Sequence, residues 1–225
     1  MLNVTAIMPT RGRRVWANQA LKCFLAQTYE HKDLIILDDE DNPSFPIPPK
    51  YPNVAHILLK ERMSIAAKRN MAVRLATGEI ICHVDSDDYS APNRFQDQVA
   101  LLEEHHKSVT GYHSMIFHDA ERGLWYFKGL QGFPMGTSLM YRKLFWSGCQ
   151  FVPDPIHVAL GELNVGEDNM FARAARNANE VITTDAGFTM VARSHSDNVS
   201  KRDVLNREHQ EWHRWTGGLP TGFTP

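Results

Sequence analysis

Apolar and polar positions in the first half of the chain alternate between the pattern of buried strands and the pattern of amphipathic helices. Four segments are apolar runs rich in β-branched residues, namely "NVTAIM", "DLIILD", "VAHILL" and "EIICHV". Apolar residues recur at helical spacing in "RRVWANQALKCFLAQ", "IAAKRNMAVRLA" and "PNRFQDQVALLEEHH". Continuous apolar strands that alternate with helices predict a parallel sheet covered by helices on both faces.

Capping and turn residues set the expected limits of these elements. Ser64 is predicted to cap the second helix and Gly78 to close it, while Pro92 is expected in the first turn of the third. The Pro-rich "NPSFPIPPKYP" is predicted to be a loop. The second half is less regular, with strands expected at "LWYFKG", "GTSLMYR", "VITTD" and "GFTMVAR", a helix at "GEDNMFARAARNA" and an amphipathic tail segment at "DVLNREHQEWHRW".

Polar segments follow each of the four apolar runs. In chain order they are "PTRGR", "DDED", "KERMS" and "DSDD". Ligands of parallel sheets bind outside the carboxyl ends of the strands, so we expect these segments to meet at one binding site. The first of them contains neither GxGxxG nor GxxxxGK[ST], so backbone amides are not expected to cradle a diphosphate there.

Asp85 and Asp87 form a D-x-D pair after the fourth strand. Residues two apart in an extended chain point to the same side, where two carboxylates can share Mn²⁺ or Mg²⁺. Such a cation neutralises a departing diphosphate. The alternatives are a calcium loop or a helix-capping cluster. The calcium pattern fails because Tyr89 replaces an oxygen ligand and the central glycine is missing.

The motifs taken together resemble a family 2 glycosyltransferase with the GT-A fold, a nucleotide-diphospho-sugar transferase. The resemblance rests on an ordered set that covers most of the chain: "VTAIMPTRGR", "LIILDDED", "AAKRNMAVRLATGEIICHVDSDD", "GEDNMFAR" and "VARSHSDNVSKR". It implies an α/β, Rossmann-like, mostly parallel central sheet with helices on both faces and a small acceptor-side subregion. We expect one catalytic domain over 1–200, with a nucleotide-binding half (1–105) and an acceptor half (106–200), followed by a C-terminal helix and tail (201–225).

The resemblance also implies residues for the nucleotide and the metal. Asp39 would accept a hydrogen bond from the base, most simply from a uracil N–H. Lys68 or Arg69 would pair with the nucleotide or its phosphates, the alternative being a solvated helix face. The nucleotide set is Pro9, Thr10, Arg11, Asp39, Lys68, Arg69 and Asp85. The metal set is Asp85, Asp87 and His195, with Mn²⁺ or Mg²⁺ as the ion. His195 would complete the metal site or contact the diphosphate, and Asp88 would support its neighbours.

The acids of "GEDN" resemble the acidic motif of the family's acceptor half. Asp168 would be the general base that takes the proton of the acceptor hydroxyl, and Glu167 would orient it or hold the acceptor. The alternative is a pair that only complements the positive N-terminal end of a helix. His209 and His213 are one helical turn apart, but "HQEWH" lacks the glutamate that zinc proteases place after the first histidine.

The predicted function is inverting, metal-dependent transfer of a sugar, with UDP as the favoured nucleotide. The alternatives are a nucleotidyltransferase of related fold and a non-catalytic module that binds nucleotide sugars. A saccharide, a protein side chain and a modified nucleic-acid base stay open as acceptors, as do the donor sugar and the oligomeric state. Net charge is -2, the three cysteines are dispersed, and the chain shows no signal peptide or apolar span, so we expect a soluble, cytoplasmic protein with free thiols.

Overall fold

The computed structural model describes residues 1–40, 51–159, 166–195 and 211–223. Most of the predicted Pro-rich loop therefore lies outside the described residues. The strands are β1 (Val4–Thr10), β2 (Lys32–Asp38), β3 (Val54–Leu58), β4 (Ile80–His83), β5 (Tyr89–Ser90), β6 (Val109–Asp119), β7 (Gly123–Lys128), β8 (Met140–Arg142), β9 (Val181–Asp185), β10 (Met190–Ser194) and β11 (Trp212–Arg214). The helices are α1 (Arg14–Leu25), α2 (Ile65–Leu75), α3 (Arg94–Glu104), α4 (Lys143–Gly148), α5 (Pro155–Ala159) and α6 (Glu167–Asn177), with a 3₁₀ turn at Gly136–Ser138.

One twisted sheet carries the fold, and the predicted α/β class is confirmed. Its strands lie in the order β11-β7-β6-β8-β4-β1-β2-β3, while β9 and β10 pair with β6 and β5 pairs with β10. The part from β4 to β3 is parallel, as the apolar runs predict. Beyond β4 the sheet is mixed, because β8 runs antiparallel to both β4 and β6. Strand β6 was not predicted, and it joins the two parts of the sheet.

Helices cover both faces, since successive side chains of a strand point to opposite sides. Val4, Ala6 and Met8 of β1 pack in one core with side chains of α1 and α3. Ile7 of the same strand packs on the other face, in a core that includes residues of α2 and α6. None of the helices in the described ranges combines the length and apolar character needed to cross a bilayer.

The local signals were right at one helix start and wrong at two other boundaries. Ser64 caps α2 as predicted, and its Oγ accepts the Ala67 N–H at 3.2 Å. Gly78 does not close that helix, which ends at Leu75. Instead the Gly78 N–H donates to Thr5 Oγ1 at 2.9 Å, and a side chain at Gly78 would strike the backbone of β1. Pro92 lies outside α3, which begins at Arg94.

The predicted C-terminal helix is wrong where the structure describes the tail. Trp212–Arg214 form β11, which pairs antiparallel with β7. The Trp212 ring packs 4.9 Å from Phe127 and 5.1 Å from Phe117, so burial against the sheet prevails over the helical spacing of the histidines. His213 is exposed on this strand, whereas His209 and the rest of 201–210 lie outside the described residues. The three cysteines are free thiols, as predicted.

Candidate active site

Acids gather where the central parallel strands end. Asp39 follows β2 directly, and the acidic group 85–88 follows β4. Strand β1 lies between β2 and β4 in the sheet, so the segment after Thr10 enters the same region. This is the edge at which parallel sheets bind ligands.

Asp39 and Lys68 form a buried ion pair beside the end of β1. The Lys68 Nζ donates to Asp39 Oδ1 at 2.7 Å and to the Thr10 carbonyl oxygen at 3.1 Å. Asp39 Oδ2 accepts the Met63 N–H at 2.9 Å. Burial opposes ionisation of Asp39, but the bonds from Lys68 and Met63 prevail and lower the pKa of this carboxyl. Burial also lowers the pKa of Lys68, against the pull of Asp39. We take the pair as charged because the 2.7 Å contact is typical of an ammonium and a carboxylate.

Asp87 is buried and balanced by two cationic or polar groups. Its Oδ2 accepts from Arg13 at 2.7 Å and lies 2.9 Å from His195 Nε2. Burial raises the pKa of Asp87, but His195 and Arg13 outweigh it and lower the pKa overall. The His195 ring packs against Trp16, with the ring centroids 4.3 Å apart and the planes tilted by 35°, which holds the imidazole beside the carboxylate. Arg13 was not predicted as a partner of Asp87.

Asp88 lies behind its neighbours and is held by the second half of the chain. It accepts hydrogen bonds from the Thr137 hydroxyl and, at 3.0 Å, from the backbone N–H of Arg193. Burial and the negative charges of Asp87 and Asp85 raise the pKa of Asp88 well above its usual range. Three acids are therefore crowded into one loop, where the charges of Asp85 and Asp87 oppose ionisation of Asp88.

Arg69 connects this loop to the acids of α6. Its side chain is only 3% exposed, and it donates to Glu167 and, at 3.2 Å, to Asp85 Oδ1. Burial raises the pKa of Glu167 to about 7, although Arg69 acts in the opposite direction. The two acidic motifs, 82 residues apart from Asp85 to Glu167 in the chain, thus share one guanidinium.

Asp168 lies against the 3₁₀ turn, at a point where only glycine fits. A methyl group at Gly136 would come within 1.7 Å of Asp168 Oδ2. The turn is fixed by His83 at the end of β4, whose Nδ1 donates to the Gly136 carbonyl oxygen at 2.8 Å. At the start of α6, Gly166 has a φ of +84°, a conformation that other residues rarely adopt. These two glycines let the chain turn into α6 with Asp168 at its first turn.

The structure brings the predicted residues into three adjoining groups. Thr10, Lys68 and Asp39 form one, Arg69, Asp85 and Glu167 the next, and Asp87 with His195 the third. Pro9 ends β1 with Thr10, exposed Arg11 lies 3.7 Å from Glu40, and Asp168 borders the second group. The residues missed from sequence are Arg13, Trp16, Gly136, Thr137 and Arg193.

A parallel-sheet edge with clustered acids from two halves of the chain is the architecture of the GT-A glycosyltransferases. The model of "Glycosyl transferase family 2" matches residues 5–154. The chain therefore belongs to glycosyl transferase family 2.

The sequence matches to known relatives cover only part of the length of each relative. An uncharacterized glycosyltransferase of Rickettsia conorii is 26% identical over 79% of this chain and 28% of its own. The poly(ribitol-phosphate) beta-N-acetylglucosaminyltransferase TarS of Staphylococcus aureus is 26% identical over 48% of this chain and 20% of its own. The chain thus spans less than a third of either relative.

Solved structures match over most of the chain. A crystal structure of S. aureus TarS 1–349 in complex with UDP-GlcNAc superposes with a TM-score of 0.67 at 18% identity, over 88% of this chain and 60% of that one. A mannosyltransferase from Pyrobaculum calidifontis in complex with GDP-Man and Mn²⁺ gives a TM-score of 0.64 at 18% identity, over 88% and 59%. These likenesses confirm the GT-A fold.

Proposed function

We propose that this chain transfers a sugar from a nucleoside diphosphate, most simply UDP, to an acceptor hydroxyl with inversion at the sugar. The observation that carries the proposal is the shared guanidinium of Arg69, which joins the acids after β4 to the acids that begin α6. The first group suits a donor diphosphate with its cation, and the second suits an acceptor. Family membership and the nucleotide-sugar complexes of TarS and the Pyrobaculum enzyme support the same assignment.

The residues present fit a hard divalent cation. Burial, together with the negative charges of Asp87 and Asp85, raises the pKa of Asp88, and a cation bound among these carboxylates would relieve their mutual repulsion. Asp85 and Asp87 would hold it, with His195 beside them. In the described ranges no three His, Cys, Asp or Glu side chains form a complete metal cage. That is in keeping with ions such as Mg²⁺, which are bound by one or two carboxylates together with phosphate oxygens and water.

The chain's own residues divide the remaining work. Asp39 and the end of β1 would bind the base. Arg13, which pairs with Asp87, would supply a positive charge to the leaving diphosphate. When bound, a divalent cation supplies charge neutralisation for the departing diphosphate. Asp168 takes the proton of the acceptor hydroxyl as the acceptor oxygen bonds to the anomeric carbon. The bond from that carbon to the phosphate oxygen breaks, and its electron pair leaves with the nucleoside diphosphate.

Thermal unfolding with a donor panel tests this proposal. UDP, GDP, UDP-GlcNAc and GDP-mannose are each added with Mn²⁺ or with EDTA. We expect one nucleotide class to raise the unfolding temperature only with Mn²⁺, since a ligand that binds the folded state alone stabilises it. Asp87→Ala should abolish the shift, while Asp97→Ala, on the exposed face of α3, should keep it. Absence of any shift with all four ligands would refute the proposal.

A further inference from the structure

The side chain of Arg69 is bonded to protein acids and not directed at a space for a nucleotide. Its two terminal nitrogens are both directed at protein acids, one at Glu167 and the other at Asp85 Oδ1. The guanidinium also lies 5.9 Å from the centroid of the Phe151 ring, which closes one side. With a side chain only 3% exposed, Arg69 is part of the interior between β4 and α6.

The charges make this contact strong. Burial alone would lower the pKa of Arg69, but Glu167 and Asp85 prevail and raise it. A guanidinium is a planar, rigid fork, so its two nitrogens fix the distance between the carboxyl groups they hold. Arg69 and Glu167 are buried, whereas the Asp85 side chain is 24% exposed, so removing the guanidinium chiefly leaves Glu167 buried without its partner, which is unfavourable. Asp85 and Glu167 are therefore held at one separation.

The position of Asp168 depends on that separation, because Asp168 follows Glu167 in the first turn of α6. The Asp168 side chain lies directly beside Gly136, where an added Cβ would fall 1.7 Å from Oδ2, so the 3₁₀ turn borders it on that side. A small rotation of the start of α6 would thus move Asp168 relative to the acids after β4. Misplacement of a reacting group by about 1 Å can cost roughly 100-fold in rate.

We propose that Arg69 is a positioning residue that ties the donor-side acid Asp85 to Glu167 and so sets the place of Asp168, rather than a ligand of the nucleotide. This inference rests on the function proposed above. It replaces the nucleotide contact that the sequence resemblance implies for Arg69. Lys68 keeps its place beside Asp39 in the base region.

Steady-state kinetics and nucleotide binding separate the two roles. The assay follows release of UDP or GDP from the donor with water as acceptor, and calorimetry gives the Kd of the nucleoside diphosphate with Mn²⁺. Arg69→Gln should lower kcat about 100-fold and change that Kd less than threefold. Arg69→Lys should recover part of kcat, because an ammonium reaches one acid but not both. Arg74→Gln, on the exposed face of α2, is the control and should match the wild type.

A double variant tests whether Arg69 acts through Glu167. If it does, Arg69→Gln combined with Glu167→Gln should have the kcat of Arg69→Gln alone. Losses that multiply would overturn the proposal. So would a tenfold rise in the nucleoside diphosphate Kd of Arg69→Gln with kcat near that of the wild type. If Arg69→Gln does not fold, Arg69→Lys is compared with the wild type by the same criteria.

Amide exchange distinguishes a failure of this inference from a failure of the proposed function. If the wild type releases no nucleoside diphosphate from any donor, the proposed function fails. The tie is still tested, because the start of α6 should exchange at least tenfold faster in Arg69→Lys than in the wild type. Exchange unchanged from the wild type would overturn the proposal, and Arg74→Gln again serves as the control.

Discussion

Replacement of Gly136 by alanine is the sharpest steric test of the site. The added Cβ would lie 1.7 Å from Asp168 Oδ2, whereas real contacts of this kind stay above 3.0 Å, so the carboxylate must move by at least 1.3 Å. The turn cannot retreat easily, since His83 holds the Gly136 carbonyl from below. A shift of this size predicts a loss of about 100-fold in kcat. Overpacking predicts destabilisation by about 1–3 kcal/mol.

The assay is release of nucleoside diphosphate at saturating donor, together with nucleotide binding. Gly136→Ala should keep the nucleotide Kd, because Asp39 and Asp87, the proposed donor ligands, have their hydrogen-bond partners outside the 3₁₀ turn. Gly148→Ala is the matched control, since a Cβ there meets nothing within 4 Å. If Gly136→Ala retains the wild-type kcat while it folds normally, Asp168 is not the group that takes the acceptor's proton.

Two further predictions concern buried charge. Because the pKa of Glu167 is raised from 4.5 to about 7, folded Glu167 keeps its proton through that window and stability falls as pH rises through it. As pH rises from 5 to 8, the free energy of unfolding of Glu167→Gln, measured in urea, should therefore increase by about 1–3 kcal/mol relative to that of the wild type. A difference that does not change with pH would refute this. For Lys68→Met, loss of the partner of Asp39 should cost about 3–5 kcal/mol at pH 7. The lowered pKa of Asp39 stabilises the wild type fully above its unfolded value of 3.8, and this stabilisation is lost as pH falls below that value toward the folded pKa. The cost of Lys68→Met should therefore shrink as pH falls below about 4, unlike that of exposed Lys22→Met.

The parallel part of the fold was predictable because its strands are uninterrupted apolar runs. Strand β6 was not, since His113, Ser114 and Gly111 break its pattern. These positions are explained by contacts with distant segments: the Ser114 Oγ accepts the Gly129 N–H at 3.2 Å, and a Cβ at Gly111 would strike Pro134 and Ser138. Such pairings have no local signal in the sequence.

The same holds for the site. Acids at strand ends are visible in the sequence, because the acidic cluster "DSDD" directly follows an apolar run that predicts a buried strand. Their partners are not: Arg13 lies 74 residues from Asp87, and Thr137 lies 49 residues from Asp88. A glycine beside a carboxylate, as at Gly136, has a meaning only when the fold brings the two together.

The role of Asp168 as general base is the central claim, and Asp168→Asn tests it most directly. The substitution keeps the size of the side chain and removes its ability to take a proton. We predict that release of nucleoside diphosphate from the donor identified by thermal unfolding falls by about 100- to 10,000-fold, with the nucleotide Kd unchanged. An Asp168→Asn variant that forms nucleoside diphosphate from the donor at the wild-type rate would contradict the account.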